Sequence, residues 1–113
     1  MNVKVNEFEK TVVIKLQGDK MLGLEANEFH EAVRTSIEKN KKNVVIDMSD
    51  VKYITSWGIG VLIYGHTTAT NAECFFSLAG VPESVNEIFE KVKIRTIIKQ
   101  YPTVEDALNN EKE

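Results

Sequence analysis

The order of strand-like and helix-like segments constrains the fold of this chain most strongly. Short β-branched runs such as TVVIKLQG and NVVIDM alternate with longer stretches in which apolar residues recur every three or four positions. From the N-terminus the order is β-β-α-β-α-β-α-β-α. Parallel strands need crossover connections, whereas the first two runs are close enough in sequence to form a hairpin. We therefore predict an α/β domain with a mixed, mostly parallel sheet, an N-terminal antiparallel hairpin and helices covering the sheet.

Local signals mark several element boundaries. GLEANEFHEAVRTSIEKN has helical spacing, and a second helix is predicted from about Ser56 to Asn71. VPESVNEIFEKV has a proline near its first helical position. RTIIKQY is predicted to be the last strand and TVEDALNN the last helix, with Thr103 and Asp106 forming a capping box.

Composition limits the classes of protein to which the chain can belong. A chain of 113 residues can bury a core without a disulfide or a structural metal. Its net charge of −3 gives no reason to expect nucleic-acid binding, and NKKN is predicted to be a solvated loop. Cys74 is the only cysteine and lies in an apolar run, which predicts a buried, inert thiol. No segment resembles a signal peptide or a membrane span, so we expect a cytoplasmic protein that does not insert into membranes.

Catalytic and metal-binding patterns are missing from the sequence. His30 and His66 have no partner at metal-ligand spacing, and no phosphate-binding loop or nucleophile elbow occurs. Asp19, Asp47 and Asp50 follow predicted strands, where aspartate usually forms turns. We therefore predict a protein that is not an enzyme and that uses no cofactor or metal.

The predicted helix from Ser56 to Asn71 carries two opposite apolar stripes when its residues are placed about 100° apart. One stripe contains Ile59, Leu62, Ile63, His66 and Ala69, and we predict that it faces the core. The other contains Trp57, Val61, Tyr64 and Thr68. Two interpretations of the second stripe stay open: a neighbouring element covers it, or it binds a partner, since Trp and Tyr are favoured interface anchors.

Small and hydroxyl residues at the start of the same helix also have two interpretations. Gly58, Gly60 and Gly65 weaken a helix, so they indicate close approach of its backbone to the sheet or to a partner. Ser56 is predicted to be the N-cap. A regulatory hydroxyl is the alternative, because a phosphate is accommodated at the positive end of a helix.

VVIDMSDVKYITSWGIGVLI resembles the signature of STAS domains, the family of bacterial anti-sigma factor antagonists and of the cytoplasmic domains of sulfate transporters. The matching positions are the buried strand and Asp47, Ser49, Val51, Ile54, Ser56, Gly58, Ile59 and Gly60. VVIKLQGD resembles the second strand of the family, and VPESVNEIF and TVEDAL resemble its C-terminal helices. The resemblance extends over the whole chain and implies one STAS-like domain at residues 1–113.

The chain departs from the family pattern at the residues of the phosphorylation switch. In phosphorylated antagonists the acceptor is the second hydroxyl residue of Asp-Ser-Ser-Gly, and Trp57 stands at that position. Thr55 replaces the preceding Asp, and Met21 replaces a usual acidic residue, although Asp19 is nearby. Ser56 and Thr55 are the remaining candidates for phosphorylation.

The resemblance implies a function in regulation by protein binding. Family antagonists bind an anti-sigma factor, commonly a Ser/Thr kinase, through the loop after the third strand and the start of the second helix, here Tyr53 to Tyr64. The candidate partner-binding residues are Tyr53, Thr55, Ser56, Trp57, Gly58, Val61 and Tyr64. Two alternatives stay open: a scaffold or accessory subunit of a signalling or transporter complex without a phosphorylation switch, and a sensor that holds a nucleotide or lipid head group at the helix end.

Overall fold

Seven strands and four helices alternate along the chain in the computed structural model, which describes residues 2–110. The strands are β1 (Asn2–Glu7), β2 (Thr11–Gln17), β3 (Lys20–Met21), β4 (Asn43–Asp47), β5 (Tyr53–Ile54), β6 (Phe75–Ala79) and β7 (Lys99–Tyr101). The helices are α1 (Ala26–Glu38), α2 (Ser56–Asn71), α3 (Glu83–Lys91) and α4 (Val104–Asn110), with a 3-10 turn at Ile94–Thr96.

Five strands form one sheet in the order β1-β2-β4-β6-β7. β1 and β2 pair antiparallel, from Asn2 opposite Gln17 to Glu7 opposite Val12, and the other neighbours pair parallel. The predicted hairpin and mixed sheet are therefore confirmed. β3 and β5 form a separate two-stranded parallel ribbon, which the sequence analysis did not predict.

Two apolar cores lie on opposite faces of the sheet because successive side chains of a strand point to opposite sides. In β4, Val44 and Ile46 pack in the large core beneath α1, α2 and α3, whereas Val45 packs in a small core beneath α4. The large core also holds the fully buried Phe29 and Phe89. Helices thus cover both faces of the sheet, as predicted.

Two predictions made from the sequence are wrong in detail. RTIIKQY contains only a three-residue strand, because the chain first makes the 3-10 turn, which follows Lys93 in the left-handed region at φ 55°. NKKN is not simply a solvated loop, because the side chain of Lys41 is only 11% exposed. The Lys41 ammonium donates to the Phe8 and Glu9 carbonyl oxygens and so holds the turn between β1 and β2.

Other local predictions are confirmed. Cys74 is buried, its thiol donates to the Lys41 carbonyl oxygen at 3.1 Å, and burial raises the pKa of the thiol. The Thr103 hydroxyl accepts a hydrogen bond from the Asp106 amide at 3.0 Å, which is one of the two hydrogen bonds of the predicted capping box. No helix among the described residues has the length and apolar character needed to cross a membrane.

Candidate functional site

Helix α2 begins at Ser56, beyond the carboxyl end of β4, and Thr55 is its N-cap. The Thr55 hydroxyl accepts from the Gly58 amide at 3.0 Å and donates to the Leu22 carbonyl oxygen at 3.0 Å. The Thr55 amide donates to the Met21 carbonyl oxygen, also at 3.0 Å. The prediction that Ser56 caps the helix is therefore wrong, because the preceding hydroxyl occupies that position and ties α2 to the segment after β3.

Ser56 has an exposed side chain in the first turn of α2. Within residues 2–110 no hydrogen bond to its hydroxyl occurs, whereas the hydroxyl of Thr55 is engaged twice. The two candidate phosphorylation residues thus differ in structure. A group added to Ser56 would leave the helix cap intact, and a group added to Thr55 would break it.

Trp57 projects from the first turn of α2 and is 61% exposed. Its ring lies against the backbone of Gly23, where an added Cβ would come within 2.7 Å of the indole Cγ and Cδ2 atoms. Gly23 has a φ of +104°, a conformation that residues with side chains rarely adopt. Glycine at this position therefore lets the indole rest on the loop while its outer face stays open.

Three further apolar side chains are exposed near the beginning of α2 or along its outer face. Tyr64 lies two helical turns after Trp57 and is 57% exposed, and Tyr53 is half exposed on β5. Leu24, which follows the glycine beneath the indole, is 76% exposed. We name the three aromatic residues Tyr53, Trp57 and Tyr64, together with the exposed Leu24, the aromatic surface. An exposed group of large apolar side chains is typical of an interaction site.

Tyr64 is positioned by a contact with α1. The ring of His30 meets the Tyr64 ring edge-on at 4.5 Å, and the His30 Nε2 atom lies 3.4 Å from the Val61 carbonyl oxygen. Burial is the main reason why the pKa of His30 is lowered. The neutral imidazole is thus favoured between the two helices.

The predicted division of α2 into two faces is wrong at Val61. Val61, assigned to the outer stripe and to the partner-binding residues, is only 4% exposed and packs in the large core. Of the stripe assigned to the core, Ile59, Leu62 and Ala69 are buried, while His66 and Ile63 are half-buried, with Ile63 packed against the large core. The His66 ring lies edge-on to Phe76 at 5.7 Å, and burial lowers the pKa of His66. The buried face is rotated toward Val61 because the helix has apolar residues on both sides and packs through its glycines.

The glycines of α2 have different surroundings. A Cβ on Gly58 would lie 2.7 Å from the Met21 carbonyl oxygen, so this candidate partner-binding residue faces the fold. A Cβ on Gly65 would lie 2.6 Å from the Phe29 ring, where α1 crosses α2. Nothing lies within 4 Å of such an atom on Gly60. Close backbone approach therefore explains Gly58 and Gly65 but not Gly60.

The aspartates near the site have structural roles. The Asp47 carboxylate accepts from the Ser49 amide at 3.0 Å, which confirms its role as a turn former. Asp19 contributes its backbone carbonyl oxygen, which accepts from the Lys52 and Tyr53 amides. The side chain of Met21, which the resemblance aligns with a usual acidic residue, is fully buried. In residues 2–110 no group of three His, Cys, Asp or Glu residues could hold a metal ion.

Sequence reasoning missed Gly23 and Leu24. Only the structure places their loop beneath the tryptophan, because the contact depends on the ribbon formed by β3 and β5. The signal available in the sequence was a glycine between two leucines, Leu22 and Leu24, at the beginning of the stretch predicted to be helical, whereas α1 begins only at Ala26.

Comparison with known proteins places this geometry in a family. The model of the STAS domain family matches residues 2–107. A curated Thermotoga neapolitana protein, named as a candidate anti-sigma factor antagonist and homolog of TM1081, is 28% identical over 98 residues, covering 85% of this chain and 87% of that protein.

Solved structures agree with this assignment of the fold. The crystal structure of TM1081 from Thermotoga maritima, titled as a candidate anti-sigma factor antagonist, superposes with a TM-score of 0.85 at 20% identity, covering 98% of this chain and 95% of that one. An anti-sigma factor antagonist from Mycobacterium paratuberculosis gives a TM-score of 0.83 at 18% identity, covering 99% of this chain and 94% of the other. These matches confirm the predicted resemblance and fold.

Proposed function

Because the chain belongs to the STAS domain family, we propose that it is a cytoplasmic regulatory module that binds a protein partner through the aromatic surface. The proposed partner is a kinase-like anti-sigma factor, and binding of this factor would release the sigma factor that it holds. The names of a curated relative and of structural neighbours, which describe anti-sigma factor antagonists, support this class of partner.

The exposure of Trp57 carries the proposal. An indole that is 61% exposed contributes little to the folded core, yet its position is fixed by the backbone of Gly23 beneath it. Burial of such a ring in a partner would remove a large apolar area from water without first ordering a flexible side chain. Tryptophan and tyrosine are the residue types most often found as anchors at the centre of interfaces.

Substitution of Trp57 tests the proposal most simply when affinity and folding stability are measured separately. Trp57→Ala should lower affinity for the proposed anti-sigma factor partner by about 2 kcal/mol or more. It should change the free energy of unfolding by less than about 1 kcal/mol, because the exposed ring packs little. Calorimetric titration gives the first quantity and urea denaturation the second.

Phe75 offers a matched control for this substitution. It is also a large exposed aromatic residue, at 73%, but it lies at the beginning of β6, whereas α2 starts at the carboxyl end of β4. Phe75→Ala should leave affinity unchanged. Equal losses of affinity in the two variants, or no loss in Trp57→Ala, would contradict the assignment of the docking surface.

Regulation by phosphorylation is a separate part of the proposal. The resemblance to the family signature aligns Trp57 with the acceptor position, and indole has no hydroxyl to receive a phosphate. Ser56 is the residue that we propose for any modification, because it is exposed and its hydroxyl has no hydrogen-bond partner in the described part of the chain, while the Thr55 hydroxyl maintains the cap. Incubation with partner and ATP, followed by mass spectrometry, tests this. Phosphate on Thr55 would contradict the argument, and stoichiometric phosphate on Ser56 would show that the switch has moved by one residue.

A scaffold or accessory subunit without a phosphorylation switch is the second candidate, and Trp57 at the acceptor position is the observation that favours it. This candidate uses the same aromatic surface but predicts no change in partner binding upon incubation with ATP and kinase. Unmodified chain that stays bound to its partner after such incubation would favour the scaffold. Release of the partner together with phosphorylation would favour the antagonist.

A further inference from the structure

Strand β1 forms one edge of the main sheet, and within residues 2–110 no strand pairs with its outer side. Its six residues are exposed apart from the half-buried Val3, and Val5 is 44% exposed. The opposite edge strand, β7, has only three residues. An open edge can accept a strand from another chain. β1 is therefore the edge of this sheet that is better suited to pairing with another molecule.

The hydrogen bonds of the hairpin determine which backbone groups of β1 point outward. The Phe8 amide donates to the Thr11 carbonyl oxygen at 2.8 Å, so these two residues form a hydrogen-bonded pair. Hydrogen-bonded and non-hydrogen-bonded pairs alternate in an antiparallel ladder, and the same register continues through β1. The backbone amide and carbonyl groups of Val3, Val5 and Glu7 therefore point away from β2.

Side chains from α1 and its C-cap contact the two ends of this edge. The Val3 amide donates to the Glu28 carboxylate at 3.2 Å, and the Lys39 ammonium donates to the Glu7 carboxylate at 2.8 Å. The outward backbone groups of Val5 have no partner within residues 2–110. β1 thus has an acidic group at one end, a basic group at the other, and open backbone groups between them.

An apolar groove of about 310 Å³ lies between β1 and α1. Glu28 and Lys39 both line it, and its apolar lining comes from Val3, Val5, Val12 and Ala32. The rise from Glu28 to Lys39 along a helix is about 16 Å, and the rise from Val3 to Glu7 along a strand is about 14 Å. The two charges therefore lie beside opposite ends of the strand.

We propose that β1 pairs antiparallel with β1 of a second copy of this chain, with the two Val5 residues opposite each other. Such pairing has twofold symmetry, so each end of one strand meets the other end of its partner. The two Val5 residues would exchange both backbone hydrogen bonds, and Val3 would pair with the second copy's Glu7. The Val5 side chains, which are exposed in the single chain, would cover each other.

Charge complementarity supports a second copy as the occupant of this edge. Pairing about Val5 brings Glu28 of each copy to the end of the strand where the other copy has Lys39. The Val3 amide would receive a carbonyl oxygen from the second copy, which frees the Glu28 carboxylate to bind that lysine. A register centred on Lys4 would instead place two lysines opposite each other, which is unfavourable. The interface shares no residue with the aromatic surface, so the inference does not depend on the proposed function.

Sedimentation velocity of the untagged chain tests the proposal. Between about 10 μM and about 500 μM, a range that detects even weak association, the average mass should rise toward that of two chains. Val5→Pro should abolish this rise, because it removes an outward amide and no hydrogen bond to β2. Trp57→Ala should leave the rise unchanged, because Trp57 lies outside the interface.

Charge reversal provides a second test, which does not require the proline variant to fold. Glu28→Lys and Lys39→Glu should each weaken self-association about tenfold, because each places like charges at both ends of the paired strands. An equimolar mixture of the two variants should associate about as strongly as the wild-type chain, because every contact then joins opposite charges. Glu38→Lys makes the same change of charge as Glu28→Lys, but on the side of α1 that faces α2, and should have less than about a twofold effect.

Several outcomes would overturn the proposal. A mass that stays that of one chain up to the highest concentration would do so, as would a folded Val5→Pro variant that still dimerises. Equal effects of Glu28→Lys and Glu38→Lys, or a mixture that associates no better than its two components, would show that β1 is not the interface. Loss of the dimer in Trp57→Ala would place the contact on α2 instead.

Discussion

The exposed face of α1 is polar throughout, whereas the exposed face of α2 includes large aromatic side chains. The exposed residues of α1 are all polar or charged: Asn27, Glu28, Glu31, Arg34 and Glu38. In α2, the exposed residues near the C-terminal end are likewise polar, namely Thr67, Thr70 and Asn71. Its first nine residues instead expose two large aromatic side chains, Trp57 and Tyr64. Contact with water explains α1 and the end of α2, but it does not explain the two aromatic rings.

The difference between the two helices shows which exposed residues folding does not require. Folding requires each helix to bury one face, and both do so, through Phe29 and Val33 in α1 and through Val61 and Leu62 in α2. Beyond that requirement, a solvated face is best served by charged or polar side chains. We propose that partner binding accounts for the large apolar groups at the start of α2, next to the exposed Leu24.

The largest expected effect concerns the contact between these helices. Phe29 is fully buried, and its ring fills the space left by Gly65 of α2. Phe29→Ala should reduce the free energy of unfolding by about 3–5 kcal/mol because it leaves a cavity. Arg34→Ala on the exposed face of α1 removes only a surface ion pair with Glu31 and should cost less than about 1 kcal/mol. Similar denaturation midpoints for the two variants would mean that the helices do not pack as described.

An intermediate effect is expected from two glycines of α2 that are only two residues apart. Gly58→Ala should destabilise the fold by about 1–3 kcal/mol, because the Met21 carbonyl oxygen beneath it is held by the Thr55 amide and cannot easily move. Gly60→Ala meets no neighbour and should stabilise the helix by about 0.5–1 kcal/mol. Thermal unfolding of both variants measures these changes, and melting temperatures that shift in the same direction would contradict the different surroundings of the two glycines.

The smallest expected effect is a pH dependence from the histidine between the two helices. Burial holds the pKa of His30 below its ordinary value of 6.5, so the unfolded chain takes up a proton first as the pH falls. Stability should therefore be full above a pH of about 6.5 and decline as the pH falls toward the lower pKa of the folded state. His66, whose pKa is also lowered by burial, adds to the same slope.

Paired variants isolate the contribution of each histidine. His30→Gln should flatten the decline in stability between about pH 7.5 and 5.5, a range in which carboxylates hardly titrate. His66→Gln should also flatten the decline in stability, because it removes the imidazole that is partly buried against Phe76. Urea midpoints at the two pH values supply the measurement. A wild-type chain that becomes more stable as the pH falls would show that the histidines lie in different surroundings.

Sequence analysis predicted the regular features because each rests on a local signal. The alternation of strand and helix periods fixed the order of elements, and α2 was placed from Ser56 to Asn71, where the structure has it. The prediction from sequence was wrong where several local signals compete. Two adjacent hydroxyl residues, Thr55 and Ser56, can each cap a helix, and the choice depends on the Leu22 carbonyl oxygen, which is distant in sequence.

Tertiary contacts account for the features that the sequence could not predict. Val61 faces the core because the backbone of α2 lies close to neighbouring elements at Gly58 and Gly65. Periodicity alone cannot show which of two apolar stripes is buried. Strands of two residues have no periodicity to detect, so β3 and β5 were missed.

Quenching of the single tryptophan tests the central claim most directly, because Trp57 reports only on the proposed docking surface. In the isolated chain, Trp57 should have red-shifted emission that iodide quenches readily. Addition of the anti-sigma factor, or of a tryptophan-free variant if its own tryptophans interfere, should shift the emission to the blue and protect it from iodide. Binding that leaves the emission and the quenching of Trp57 unchanged would contradict the claim that the exposed aromatic face of α2 is the site of contact.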